Sequence, residues 1–192
     1  HALALRNLAT LLRWAGKVEE ADKLALRAIQ MLPQDAVANH AAGKALAGEQ
    51  RFDEAARHFR QAIELKPDWV DARLSLAKLL SRQGDLDGAL HQYKQLLEIN
   101  PESVAAHCSL GAVLVQQGHI GQAEEHILRA LENDPDHADS LANMGALRYR
   151  QDRLDEAVEF FQRSLELTPD NADTHQNLGR AFFRLNKFDQ AM

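Results

Sequence analysis

The chain is poor in the residues that staple, ligate or react. Cys108 is the single cysteine among 192 residues, so no disulfide can form within the chain and a cysteine-based zinc site lacks its partners. No apolar run approaches the ~20 residues that a membrane span requires, and no stretch resembles a secretory signal. Together these absences point to a reducing compartment, with the cytoplasm as the expected location, although a disulfide-free secreted protein would share them. The net charge of −6 argues against a nucleic-acid partner unless a local basic stripe overrides the total. What remains is ordinary: 45% apolar and 26% charged residues, the balance of a folded rather than a disordered chain.

Proline is scarce but ordered. All five prolines fall at one interval, Pro33, Pro67, Pro101, Pro135 and Pro169, each 34 residues after the last. Alanine keeps the same step at Ala21, Ala55, Ala89, Ala123, Ala157 and Ala191, and a third column holds only Gly or Ala: Ala9, Gly43, Ala77, Gly111, Gly145 and Gly179. Three columns in one register define a tandem array. Within the third unit, Leu76, Leu79 and Leu80, then Leu86, Ala89, Leu90, Tyr93, Leu96 and Leu97, follow the spacing of two amphipathic helices. Between them Gly84 suits the left-handed backbone that ends a helix; its counterparts are Gly16, Gln50, Gly118, Asp152 and Asn186. The second helix ends at the proline, and the residue after it (Gln34, Asp68, Glu102, Asp136, Asp170) is expected to cap the next helix or meet its dipole. The small columns predict a close crossing of the two helices, with Phe59, Tyr93, Ile127 and Phe161 filling the space between neighbouring units.

These columns resemble the tetratricopeptide repeat (TPR), whose signature they match over the entire chain. The resemblance implies an all-α fold, a right-handed superhelix of stacked antiparallel helix pairs. Its expected units are 2–35, 36–69, 70–103, 104–137 and 138–171, with a partial unit at 172–192. The chain begins inside a first helix and stops partway through a second, and neither end carries a capping unit. A fragment of a longer protein, or ends that associate with another copy, is therefore expected. Two departures stand out. The tryptophan frequent at the fourth place of each unit is replaced by Leu5, Asn39, Arg73, His107, Leu141 and His175. A large apolar residue expected in the fifth first helix is Arg148, whose stem is expected to lie along the core with its charge reaching solvent.

The resemblance also implies that the first helices line a concave, peptide-binding face. Its sixth place reads Asn7, Ala41, Ser75, Ser109, Asn143 and Asn177. Asparagine can pair with any peptide backbone, and the TPR arm of O-linked N-acetylglucosamine transferase is similar in carrying an asparagine ladder there. The inward places hold Arg6, Arg13, Lys44, Lys78, Arg82, Arg150, Arg180 and Arg184 against Asp71, Asp139 and Asp173. That is a net of +5, leaving −11 for the rest of the chain. A face of one sign draws a partner of the other. The candidate binding residues are therefore Arg6, Asn7, Lys44, Lys78, Arg82, Asn143, Arg150, Asn177, Arg180 and Arg184, and the expected partner is a protein or peptide, acidic or extended. Small, uncharged Ala105, Cys108, Ala112 and Val115 in the middle of the face would receive an apolar side chain. The pair of residues with which some members clamp a chaperone carboxylate occurs in no unit.

Catalytic chemistry is not expected, nor any cofactor or metal. The nine histidines show no i, i+4 pairing, and His58 and His126 occupy equivalent places two units apart, too distant to share an ion. His107 adjoins Cys108 in sequence, but adjacent helical residues do not face each other. Asp134, Asp136, His137 and Asp139 crowd into six residues, yet the register makes them punctuation between two helices. The glycines form no phosphate-cradling loop. The expected function is a non-catalytic protein-interaction scaffold. Two alternatives remain: the substrate-recruiting arm of a larger enzyme such as a glycosyltransferase, and a self-assembling array joined through its ends.

Overall fold

The computed structural model describes residues 1–185; the expectations for Asn186, Phe188, Ala191 and Met192 lie outside them. Among the described residues are eleven helices and no strand: α1 (Ala2–Trp14), α2 (Val18–Met31), α3 (Ala36–Gly48), α4 (Phe52–Leu65), α5 (Val70–Gln83), α6 (Leu86–Ile99), α7 (Val104–Gln117), α8 (Ile120–Asn133), α9 (Ala138–Arg150), α10 (Leu154–Leu167) and α11 (Ala172–Arg184). They form two compact units, His1–Ile99 and Asn100–Met192. In each unit odd-numbered first helices pack against even-numbered second helices across tight turns.

The turns have one geometry and three chemistries. Gly16, Gly84 and Gly118 sit at φ of 77°, 84° and 81°, and Gln50 and Asp152 take the same left-handed backbone at 62° and 64°. At each, the next residue's N–H reaches back to the helix, as Asp85 N does to Leu80 O at 3.0 Å and Arg51 N to Leu46 O at 2.9 Å. The backbone requirement therefore persists where glycine is absent.

The cap differs from expectation by one residue. Asp35, Ser103, His137 and Asn171, two places after the proline, cap α3, α7, α9 and α11; Asp35 accepts from Ala38 N at 2.8 Å and Asn171 from Thr174 N at 3.0 Å. The proline and the residue after it form a turn, so the first position able to aim a side chain at the helix's free N–H groups comes one later. Asp136 instead pairs with Arg163 at 2.8 Å.

The small columns work as steric clearance. A Cβ on Gly43 would lie 2.6 Å from Phe59 Cε1, and one on Gly145 would lie 2.7 Å from Phe161 Cδ1. In the second unit Phe161 also packs with Ala157, Val158, Ala181 and Phe182, so it fills the space between one helix pair and the next as expected. Arg148 corrects the sequence reading. It is buried, and its charge does not reach bulk water: Glu124 lies 2.7 Å from Nη2 and Gln151 accepts from Nη1 at 2.7 Å. Nε sits 3.4 Å from Glu156 Oε2 without hydrogen-bond alignment. A cation at a core position is tolerated because carboxylates and an amide surround it.

Candidate functional site

In the second unit, α7, α9 and α11 enclose a cavity of about 460 Å³. Their helical register turns Asn143 and Arg150 of α9, and Asn177 and Arg180 of α11, toward one space, over apolar Ala112 and Val115 of α7. Tyr149 and Gln116 add polar groups, and no carboxylate lines the cavity. Among the described residues neither arginine takes part in an ion pair. Asn143 is half committed: its Nδ2 donates to the Cys108 carbonyl at 3.2 Å, across to the preceding first helix. The arrangement offers two guanidinium forks and two amides to a single ligand.

The first unit holds a second cavity, of about 580 Å³, lined by Lys44 of α3 and Lys78 of α5. Beside them His40 bonds Ser75 Oγ through Nε2 at 3.0 Å. Burial, then the neighbouring Lys44, pushes the His40 imidazole down to about 4, so it is neutral at physiological pH. Burial and then Arg13 lower the Lys44 ammonium, against the weaker pull of Asp71 and Asp22.

Four of the ten sequence candidates stand elsewhere. Arg6 is neutralised by Asp35 at 2.6 Å and donates to Asn7 Oδ1 at 2.9 Å, which occupies Asn7 as well. Arg82 lies over the Phe52 ring at 4.9 Å. Arg184 pairs with Asp152 at 2.6 Å and stacks on Tyr149 at 4.9 Å. Arg13, counted in the inward charge, pairs with Asp22. Spacing places a cation on a face but does not show whether a carboxylate from a neighbouring turn already holds it. Tyr149, Trp14 and Trp69 line the two cavities and were not among the candidates. Tyr149 and Trp14 occupy inward places, so a census of aromatics as well as charges would have found them.

The replaced tryptophan column has a role that sequence reasoning missed. Asn39, Arg73, His107 and His175 each bond the carbonyl of the proline six residues earlier, at 2.9, 3.0, 2.9 and 2.7 Å. In the first three cases the same side chain also meets one 19 residues later, on the second helix: His58 at 2.9 Å, Gln92 at 3.2 Å and His126 at 3.0 Å. The histidines are thus not all scattered, because two helices bring His107 and His126 together. A group of three or more metal-binding side chains does not occur among the described residues.

Family models place the chain. Two tetratricopeptide repeat models match residues 1–32 and 40–104, and that of the cilia and flagella-associated protein 70 middle TPR-like domain matches residues 74–186, more than half of the chain. The chain belongs to the tetratricopeptide repeat family. Its fold class is accordingly the all-α TPR superhelix. PilW, a type IV pilus biogenesis factor, superposes with a TM-score of 0.84 at 18% identity over 99% of this chain and 88% of its own. YrrB, a TPR protein with an unusual peptide-binding site, gives 0.69 at 22% identity over 97% and 92%. In the Cut9–Hcn1 hetero-tetramer of the APC/C the TM-score is 0.82 at 22% identity over 88% of this chain, which spans only 33% of that one. No curated protein matches the sequence. TPR arrays are protein-interaction scaffolds, generally without catalytic activity, and their partners are proteins. No described helix is long and apolar enough to cross a membrane.

Proposed function

We propose that this TPR chain is a non-catalytic interaction module that holds an extended, acidic segment of a partner protein, anchored in the cavity of the second unit. One observation carries the reading. Arg150 and Arg180 share a cavity with no lining carboxylate and, among the described residues, have no ion pair of their own. Two like charges converging without a counter-charge repel each other, and a ligand carboxylate or phosphate relieves that cost while accepting hydrogen bonds from both forks. Asn177 supplies a donor and an acceptor to a peptide backbone whatever its sequence, and Asn143, one helix pair before it, supplies its amide oxygen, since its Nδ2 already donates to Cys108. Ala112 and Val115 give an apolar side chain of the ligand a floor.

A fluorescein-labelled decapeptide of alternating Glu and Gly tests the reading by anisotropy. The Arg150→Glu, Arg180→Glu double variant should weaken its binding at least tenfold, about 1.4 kcal/mol or more, while a Lys-Gly peptide should not bind the parent chain. Equal affinity of parent and variant would overturn the assignment.

A further inference from the structure

We infer that the cavity of the first unit is a subsite for an aromatic side chain whose neighbour in the bound segment carries a carboxylate. The inference rests on the peptide-binding reading and gives the first unit a ligand chemistry of its own. Its depth comes from alanine. Ala9, Ala21 and Ala25 are almost fully buried and reach the cavity only with methyl groups, leaving a space of about 580 Å³ above them. That volume falls within the range of pockets that enclose small ligands.

Aromatic groups stand around this floor. Trp69 packs against the His40 ring at 4.7 Å and 60°. Trp14 also lines the cavity and is 81% exposed, a large indole with almost no cover. Aromatic pairs add to plain area burial when ring edges meet ring faces, so these indoles favour Phe, Tyr or Trp over an aliphatic guest. His40 remains uncharged and bonded to Ser75, and burying the guest beside it brings no repulsion.

The charge balance supplies the second half of the ligand. Lys44 and Lys78 have no ion pair among the described residues, Arg13 is held by Asp22, and Asp71 is the one carboxylate on the lining. The ammonium of Lys44 is depressed because burial and Arg13 together outweigh Asp71. A single ligand carboxylate would restore the balance, and it must adjoin the aromatic residue because both ammoniums line the same cavity.

Trp14 and Trp69 are the chain's two tryptophans and both line this cavity, so emission excited selectively in tryptophan, clear of the tyrosines, reports on it alone. The probes are acetylated, amidated tetrapeptides Gly-Phe-Asp-Gly, Gly-Phe-Lys-Gly and Gly-Ala-Asp-Gly. The first should give a saturable change, and the other two should bind at least tenfold more weakly. Lys44→Glu with Lys78→Glu should abolish the preference for Asp over Lys, whereas Lys94→Glu, on an exposed second-helix position, should leave it intact. Lys44→Met serves if the double variant does not fold, and should reduce the same preference. No saturable change up to about 10 mM, a weak affinity near 3 kcal/mol, or equal responses to all three peptides, overturns the inference. Loss of Glu-Gly peptide binding in the Arg150→Glu, Arg180→Glu variant reads the second unit, so that result with failure here would refute this subsite alone.

Discussion

Gln50 shows how far a repeat register reaches at the scale of one residue. It occupies a left-handed backbone at φ of 62° that a Cβ makes costly, and its alignment with Gly84 in the repeat makes that demand legible in the sequence. Gln50→Gly should raise stability by about 0.5–1 kcal/mol in urea unfolding, the strain relieved exceeding the added chain entropy. Asp152→Gly should gain less, because Asp152 also pairs with Arg184; an equal gain at both sites would show that the pair contributes nothing. His40 makes a second prediction. Its folded pKa is about 4 against 6.5 unfolded, so between those values the unfolded chain binds a proton that the folded chain refuses. Stability is therefore full above pH 6.5 and falls as the pH drops toward 4, by an amount on the order of 2 kcal/mol after allowing for partial solvation. His40→Gln should flatten that slope, and an unchanged slope would refute the assignment. Arg148 marks the limit of legibility here. Its position on the core face could be read from spacing, but Glu124 and Glu156, which hold it, lie on two different helices and only packing brings them together.

At the scale of the element, two helices and the linker before them are tied by the side chain that replaces the family's tryptophan. His107 must donate through Nε2 to the Pro101 carbonyl, which can only accept. If His107 is neutral, its Nδ1 is then the acceptor and His126 the donor at the 3.0 Å contact. Leucine at this place would take the donor from the proline carbonyl and the His107 contact from the His126 ring, at a cost of about 1–3 kcal/mol. Asparagine should cost much less, because Asn39 already makes both contacts in its own unit, to Pro33 and to His58. Equal losses for His107→Leu and His107→Asn in chemical denaturation would show that the hydrogen bonds are not the cause. The fifth repeat supports the logic: Leu141 cannot donate, and Arg163 of α10 bonds the Pro135 carbonyl at 3.0 Å instead. The column was visible in the sequence as a departure, but its purpose was not, since the partners lie six residues back and 19 ahead. The caps were misjudged by one residue for a related reason: composition identifies a polar linker but not which of its residues faces the helix. Steric clearance was legible, because only Gly or Ala occurs in the column. Gly145→Ala would push a methyl toward the Phe161 ring, and overpacking of that kind costs about 1–3 kcal/mol.

For the whole molecule the useful quantity is the division of charge rather than its sum. The chain carries −6 overall, while its inward first-helix places carry +5. That division was legible, because the resemblance to the tetratricopeptide repeat implies which first-helix places face inward. Which of those cations are free was not, and the structure removes Arg6, Arg13 and Arg184 by pairing each with an aspartate. Arg82 lies over the Phe52 ring; Lys44, Lys78, Arg150 and Arg180 remain, and these line the two cavities. Unpaired charge of one sign in a concavity acts on a ligand before contact, whereas paired charge acts on nothing beyond its partner. Salt should therefore affect arrival more than departure. In stopped-flow measurements with the Glu-Gly peptide, raising NaCl from about 20 to 500 mM should lower the association rate roughly tenfold, because the screening length shrinks below the width of a cavity. The dissociation rate should change by less, since guanidinium forks in contact with a carboxylate are screened weakly. If dissociation carried most of the salt effect, the cations would act only at contact range, and the imbalance of charge would have no part in drawing the ligand in.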